Sequence, residues 1–173
     1  LTDVEIPDPQ LAWSPDGRSI ALPLRTSQGR TAQGIFVVDV DSGHLRQVTT
    51  DDTKYLYRTI SCLSWSPKMD KILFVSDYGT QEMKESWALF VLDVASGKES
   101  KVAEEVRWGC PVWSPDGEEI AYVSTAHPNP QYHQYGQIFR LNLATRKLTQ
   151  LTDDLNPKYS LLWGWVVLPQ TEH

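Results

Sequence analysis

The chain reads as an all-β protein made of β-propeller blades, each of four antiparallel strands, with about three complete blades and partial blades at both ends. Three observations predict this. Trp13 followed by Ser14-Pro15-Asp16-Gly17 returns as Trp113 followed by Ser114-Pro115-Asp116-Gly117, and in altered form as Trp65 followed by Ser66-Pro67-Lys68-Met69. The steps between the tryptophans are 52 and 48 residues, the period of a stacked architecture. Between these motifs lie short runs rich in Val, Ile, Leu and aromatics, about four to eight residues long and bounded by Gly, Pro, Asp or Ser, which is a strand pattern; no window keeps the spacing of an amphipathic helix.

The elements follow in the same order in each copy. Blade 1, about residues 10–50, has Gln10 to Trp13, Ser19 to Leu22, Ile35 to Asp39 and Leu45 to Thr49. Blade 2, about 61–103, has Cys62 to Trp65, Ile72 to Val75, Leu89 to Asp93 and the stretch after Ser96-Gly97. Blade 3, about 109–152, has Cys110 to Trp113, Ile120 to Val123, Ile138 to Asn142 and Leu148 to Thr152. A further blade starts at about 160–168 with Leu161-Leu162-Trp163, where Gly164-Trp165 replaces the expected turn. Almost no helix is expected.

Ser-Pro-Asp-Gly carries its own turn chemistry. Proline presets φ at the first central position of a type I turn, and Gly17 or Gly117 supplies the positive φ of the bulge that follows. Asp41-Ser42-Gly43 and Ser96-Gly97 serve the third and fourth strands in the same way. Met69 and Ala144-Thr145-Arg146 lack the glycine, which predicts remodelled turns at those two places. A blade with two apolar faces needs a neighbour on each side, and radial stacking supplies both.

With these residues in place, the pattern Trp-Ser-Pro-Asp-Gly, then Ile-Ala, then Ile-Phe-Val-Val-Asp, then a closing Leu-Thr resembles the TolB-type, WD-like propeller repeat over residues 1 to about 163. Related blades occur in prolyl oligopeptidases, dipeptidyl peptidases and periplasmic and surface proteins. The resemblance implies a scaffold that binds protein or an envelope component, in a periplasmic or cell-surface setting. Fold alone does not specify function.

The repeat phase is cut at both ends, and the chain begins with Leu1, so the expectation is a segment of a larger propeller whose remaining blades flank it. Self-association of two copies into a six-bladed ring is the rival. With 40% apolar and 22% charged residues the composition is that of a folded domain, here a single propeller segment over 1–173. A net charge of −6 without a basic stripe argues against nucleic acid. No apolar run approaches the roughly 20 residues of a membrane helix.

Cys62 and Cys110 each precede a repeat tryptophan by three residues. Equivalent side chains in successive blades point the same way around a ring, so two small buried thiols are expected in preference to an interblade disulfide. No cofactor or metal is expected. Asp39-Val40-Asp41-Ser42-Gly43 reads as a hairpin turn more readily than a calcium loop, and His127 and His133 sit in a Pro-rich loop without neighbouring carboxylates. No Gly-x-Ser-x-Gly or His-Glu-x-x-His is present, so no catalytic residue is assigned. Trp13, Trp65, Trp113 and Trp163 recur in phase and read as core residues between blades. Trp87 and Trp108 fall outside that phase and read as rim aromatics.

Strand alternation puts the tight turns on one edge of the disc and every long connection on the other. Binding usually resides in long loops on a rigid scaffold, so the long-loop edge is the candidate binding face. Its residues from the first unit and the connection after it are Arg25, Arg30, Tyr55, Tyr57 and Arg58. Further round lie Tyr78, Trp108, Tyr132, His133, Tyr135 and Tyr159. Tyr and Arg are the residue types enriched at protein interfaces. Two functions fit: a non-catalytic binding propeller, or the gating or substrate-binding propeller of a prolyl-oligopeptidase-type hydrolase or a polysaccharide-acting enzyme.

Overall fold

The computed structural model describes residues 11–25, 31–49, 57–77, 87–106, 109–125 and 136–153. Every regular element among them is a strand. Blade 1 runs β1 (Ala12–Trp13), β2 (Ser19–Arg25), β3 (Thr31–Asp39) and β4 (Leu45–Gln47); a short β5 (Tyr57–Arg58) leads to blade 2. Blade 2 runs β6 (Ile60–Trp65), β7 (Lys71–Asp77), β8 (Trp87–Asp93) and β9 (Glu99–Ala103). Blade 3 runs β10 (Val112–Trp113), β11 (Glu119–Ser124), β12 (Gln137–Asn142) and β13 (Leu148–Gln150). Within each blade the four strands pair antiparallel in chain order.

Strand alternation gives each blade two apolar faces. The front face of blade 1, with Ala12, Ala21, Ile35 and Val37, packs on the back face of blade 2, with Ile72, Phe74, Phe90 and Leu92. The front face of blade 2, with Leu73, Val75, Leu89 and Val91, packs in turn on Trp113, Ile120, Tyr122, Phe139 and Leu141 of blade 3. Aromatic pairs stiffen both back faces: Phe74 stacks on Phe90 with ring centroids 5.3 Å apart, and Tyr122 on Phe139 at 6.0 Å.

The repeat tryptophans have a second role besides filling space. Trp65 Nε1 donates to the Ala12 carbonyl at 3.0 Å, and Trp113 Nε1 donates to the Ser64 carbonyl at 3.1 Å. Each indole thus latches onto the residue preceding the tryptophan position of the blade before it. Trp113 is 7% exposed and Trp65 half-buried, whereas Trp13 is 58% exposed, contrary to the expectation that all repeat tryptophans lie between blades. No described blade precedes Trp13 to cover it. Trp163 lies outside the described residues.

The first turn of each blade is held by its serine. Gly17, Met69 and Gly117 each donate their backbone N–H to the carbonyl of Ser14, Ser66 and Ser114, at 2.9 Å in all three. Ser14 and Ser114 hydroxyls donate to Asp16 and Asp116 at 2.6 Å, and Asp70 takes that place for Ser66. The second turns repeat one device: Asp39, Asp93 and Asn142 each accept from both the backbone N–H and the hydroxyl three residues on, in Ser42, Ser96 and Thr145. Asp39-Val40-Asp41-Ser42-Gly43 is therefore a hairpin turn.

Remodelling of the glycine-free turns is not observed. Met69 (φ 63°) and Arg146 (φ 58°) adopt the same left-handed conformation as Gly17 (φ 71°) and Gly117 (φ 69°). The surrounding hairpin imposes the geometry, and an L residue there carries a steric cost that glycine avoids. Met69→Gly and Arg146→Gly are expected to stabilise the protein by roughly 0.5–1 kcal/mol each in urea denaturation. Gly117→Val is expected to cost more than about 1 kcal/mol, because a β-branched side chain fits the left-handed region poorly. A Cβ at Gly117 would also meet Lys68 and Pro67 of the neighbouring blade's turn at 3.4 Å, whereas one at Gly17 would meet open space.

The turn carboxylates also set an acid limit. Hydrogen bonds from the hydroxyl and then the backbone of Ser42 hold Asp39 below the ordinary value of 3.8, and Ser96 does the same for Asp93. A depressed folded-state value contributes stability above the unfolded value and loses it as pH falls through the folded one. Stability should therefore decline below pH 3.8. Asp93→Asn, which reproduces the Asn142 turn, should flatten that decline in denaturant titrations at successive pH values.

Candidate binding face

The two edges of the disc differ in construction. On the turn edge, the two tight turns of each blade are tied together by a backbone hydrogen bond. Val40 N donates to Arg18 O, Val94 N to Asp70 O and Leu143 N to Glu118 O, at 2.9, 3.0 and 3.1 Å. Lys68 and Glu118 pair across neighbouring turns at 3.3 Å with both side chains exposed, so this pair adds little stability. The described strand ends that flank the remaining connections, 26–30, 50–56, 78–86, 104–111, 125–136 and the stretch after 152, lie on the opposite edge. Most residues of these connections lie outside those described, including Arg30, Tyr55, Tyr78, Trp108, His127, Tyr132, His133, Tyr135 and Tyr159.

Three features of this edge are described. Arg25 ends β2 and is exposed. Tyr57 and Arg58 form β5, which pairs parallel with β3 through Thr31 and Ala32. β3 is nine residues long while β4 covers only Phe36 to Val38, so the unpaired first part of β3 offers backbone groups that the passing chain takes up.

Arg58 is placed differently from the expectation of a solvent-facing contact residue. Its side chain is 9% exposed and forms a two-pronged pair with Glu99 at 3.0 and 2.7 Å. Nε donates to Ser76 Oγ at 3.2 Å, and the guanidinium lies over Phe74 and Phe90, 5.3 and 5.8 Å from their centroids. A buried arginine needs its charge and planar donors satisfied together, and Glu99, Ser76 and the rings do this. Arg58 anchors the connection to the back face of blade 2. No local sequence pattern announces a pair 41 residues apart.

The cysteines overturn the expectation of two thiols. Cys62 and Cys110 form a disulfide between blades 2 and 3, with Cα atoms 5.0 Å apart. The two positions match in sequence but not in conformation. Cys62 has φ 56° at the register shift between Ser61 and Ser64 in β6. Cys110 follows Gly109, at φ 129°, and precedes β10. A bulge re-aims its side chain, which removes the premise that both sulfurs point the same way.

The connection from blade 2 to blade 3 is likewise tied down. Val106 N donates to Trp87 O at 3.0 Å, and the Glu105 carbonyl accepts from Ser124 Oγ at 2.9 Å. Trp87 packs partly buried at the edge of the second core, as a rim aromatic should. Among the described residues no three His, Cys, Asp or Glu side chains gather as a metal site would require. No helix among them is long and apolar enough to cross a membrane.

TolB from Acinetobacter baumannii superposes with a TM-score of 0.66 at 15% identity, covering 90% of this chain and 35% of that one. The fold is a TolB-like β-propeller. A TolB protein from Agrobacterium tumefaciens gives 0.60 at 16% identity, covering 87% of this chain and 50% of that one. The β-propeller domain of the Trilobed protease from Pyrococcus furiosus gives 0.56 at 19% identity, covering 83% and 42%. The chain therefore spans a third to a half of the length of these three chains. No family model and no curated protein sequence matches it.

Proposed function

We propose that this chain is a non-catalytic propeller scaffold that binds a protein partner, or a protein component of the cell envelope, on its long-loop edge. The observation that carries this reading is the asymmetry of the disc. Each described blade closes one edge with two hydrogen-bonded tight turns, and the strand ends on the other edge flank the longer connections, whose sequence is rich in Tyr and Arg. A rigid stack beneath long loops is the arrangement on which binding surfaces are commonly built. The interblade disulfide supports maturation in an oxidising compartment such as the periplasm or cell surface.

The test is affinity capture followed by titration of the captured protein. Tyr132→Ala with Tyr135→Ala should weaken binding by roughly 1–4 kcal/mol, because interface tyrosines combine apolar area with a hydroxyl that needs a partner. Arg18→Ala and Glu118→Ala, on the turn edge, should bind as wild type. Loss of binding in the turn-edge variants with none in the loop variant would move the site to the opposite edge.

The similarity to the propeller domain of a protease supports a second reading, a gating domain for a hydrolase. An α/β domain with Gly-x-Ser-x-Gly in the parent reading frame would decide for it.

A further inference from the structure

We propose that Cys62 and Cys110 form a reversible dithiol–disulfide pair, opened and closed in the folded protein by thiol–disulfide exchange with a low-molecular-weight thiol that attacks the Cys110 sulfur. The bridge joins the entries to blades 2 and 3, so both of its ends lie between described blades. Its two halves are not alike. Cys62 lies inside the paired strand β6 and is half-buried, whereas Cys110 precedes β10 and is exposed. Exchange begins at the sulfur that an incoming thiolate can reach, and access favours Cys110.

Contacts that do not involve sulfur hold the two cysteines near each other. Trp113 Nε1 donates to the Ser64 carbonyl, tying blade 3 to blade 2 three residues after Cys110 and two after Cys62. The bulge that aims Cys62 is set from both sides: Ile60 and Ser61 pair with Ser76 and Val75 before it, and Ser64 and Trp65 with Leu73 and Ile72 after it. Thr59 N also donates to Asp77 Oδ1 at 2.6 Å, and Trp65 Nε1 to the Ala12 carbonyl. Sliding β6 to remove the bulge would break one of these sets, so Cys62 keeps its left-handed conformation (φ 56°) when the bond opens. On the other side Val106 bridges to Ser124, and Pro111, directly after Cys110, is fully buried. The blade stack therefore survives opening, and the thiols stay placed to close again.

The exchange balances in two steps. A thiolate attacks Cys110 Sγ, the sulfur–sulfur bond breaks, and Cys62 leaves as a thiolate that takes up a proton, with a mixed disulfide remaining on Cys110. A second thiolate attacks the outer sulfur of that mixed disulfide, releasing Cys110 as a thiolate and the small thiol as its disulfide. Two electrons pass from two thiols to the bridge, and the oxidised small thiol reverses both steps. The opened state unties the entry to blade 3 from blade 2 at the long-loop edge.

The test incubates the folded full chain with mixtures of reduced and oxidised glutathione, quenches with acid and maps adducts by mass spectrometry. The bridge should open and reclose with circular dichroism unchanged, and the transient glutathione adduct should sit on Cys110. Single-thiol variants separate the two sulfurs. With oxidised glutathione, Cys62→Ser, which keeps Cys110, should form its adduct about tenfold faster than Cys110→Ser, and the two rates should converge in denaturant. Trp113→Phe keeps a ring and loses the latch donor, and should slow reclosure by about three- to tenfold. A bridge that opens only where circular dichroism also collapses, adducts shared equally by both cysteines in the folded protein, or reclosure indifferent to Trp113→Phe would each overturn the proposal.

Discussion

Replacing Cys62 and Cys110 together by serine is expected to lower the unfolding free energy by about 4 kcal/mol, the chain-entropy value for a closed loop of this length. The bridge spans 48 residues of sequence, and that loop contains nearly all of blade 2. Cross-linking therefore restricts the unfolded ensemble most where a whole blade would otherwise separate from its neighbour. The measurement is urea denaturation of wild type and the double variant, with thiol labelling of the unfolded, unreduced protein as a companion. Labelling should find no reactive thiol in wild type. A loss below about 1 kcal/mol would show that the bridge adds little to what apolar packing between blades 2 and 3 already supplies.

Strand order, blade phase and the two turn sites were legible because each rests on local chemistry. Ser14-Pro15-Asp16-Gly17 specifies its own hairpin, and Ile35 to Asp39 alternates between two faces. The closing threonine of the repeat has a local reason as well: Thr49 Oγ1 accepts from Ile35 N and Thr152 Oγ1 from Ile138 N, capping the third strand.

What sequence could not show depends on partners far away in the chain. The left-handed turns at Met69 and Arg146 are imposed by strands on either side, against the preference of the residue itself. The bulge at Cys62 leaves no mark in composition, yet it decides whether two sulfurs meet. Arg58 looks like a loop arginine until Glu99, Phe74 and Phe90 converge on it. Trp13 and Trp113 are identical in motif and opposite in burial, because burial belongs to the neighbouring blade.

That last contrast yields the second large expected effect. Trp113→Ala should destabilise by roughly 3–5 kcal/mol, since it empties a site in the second core that the packed strands can only partly refill. The indole is 7% exposed and contributes both area and a donor, so its removal also leaves the Ser64 carbonyl without that hydrogen bond. Trp13→Ala removes the same side chain from the same motif, but its ring is more than half exposed, and the change should stay within about 0.5 kcal/mol. Chemical denaturation of the two variants compares them directly. The difference between them measures what a neighbouring blade adds to one repeat position. Near-equal losses would mean that the tryptophan stabilises its own hairpin, and that the interblade latch contributes nothing to holding the stack together.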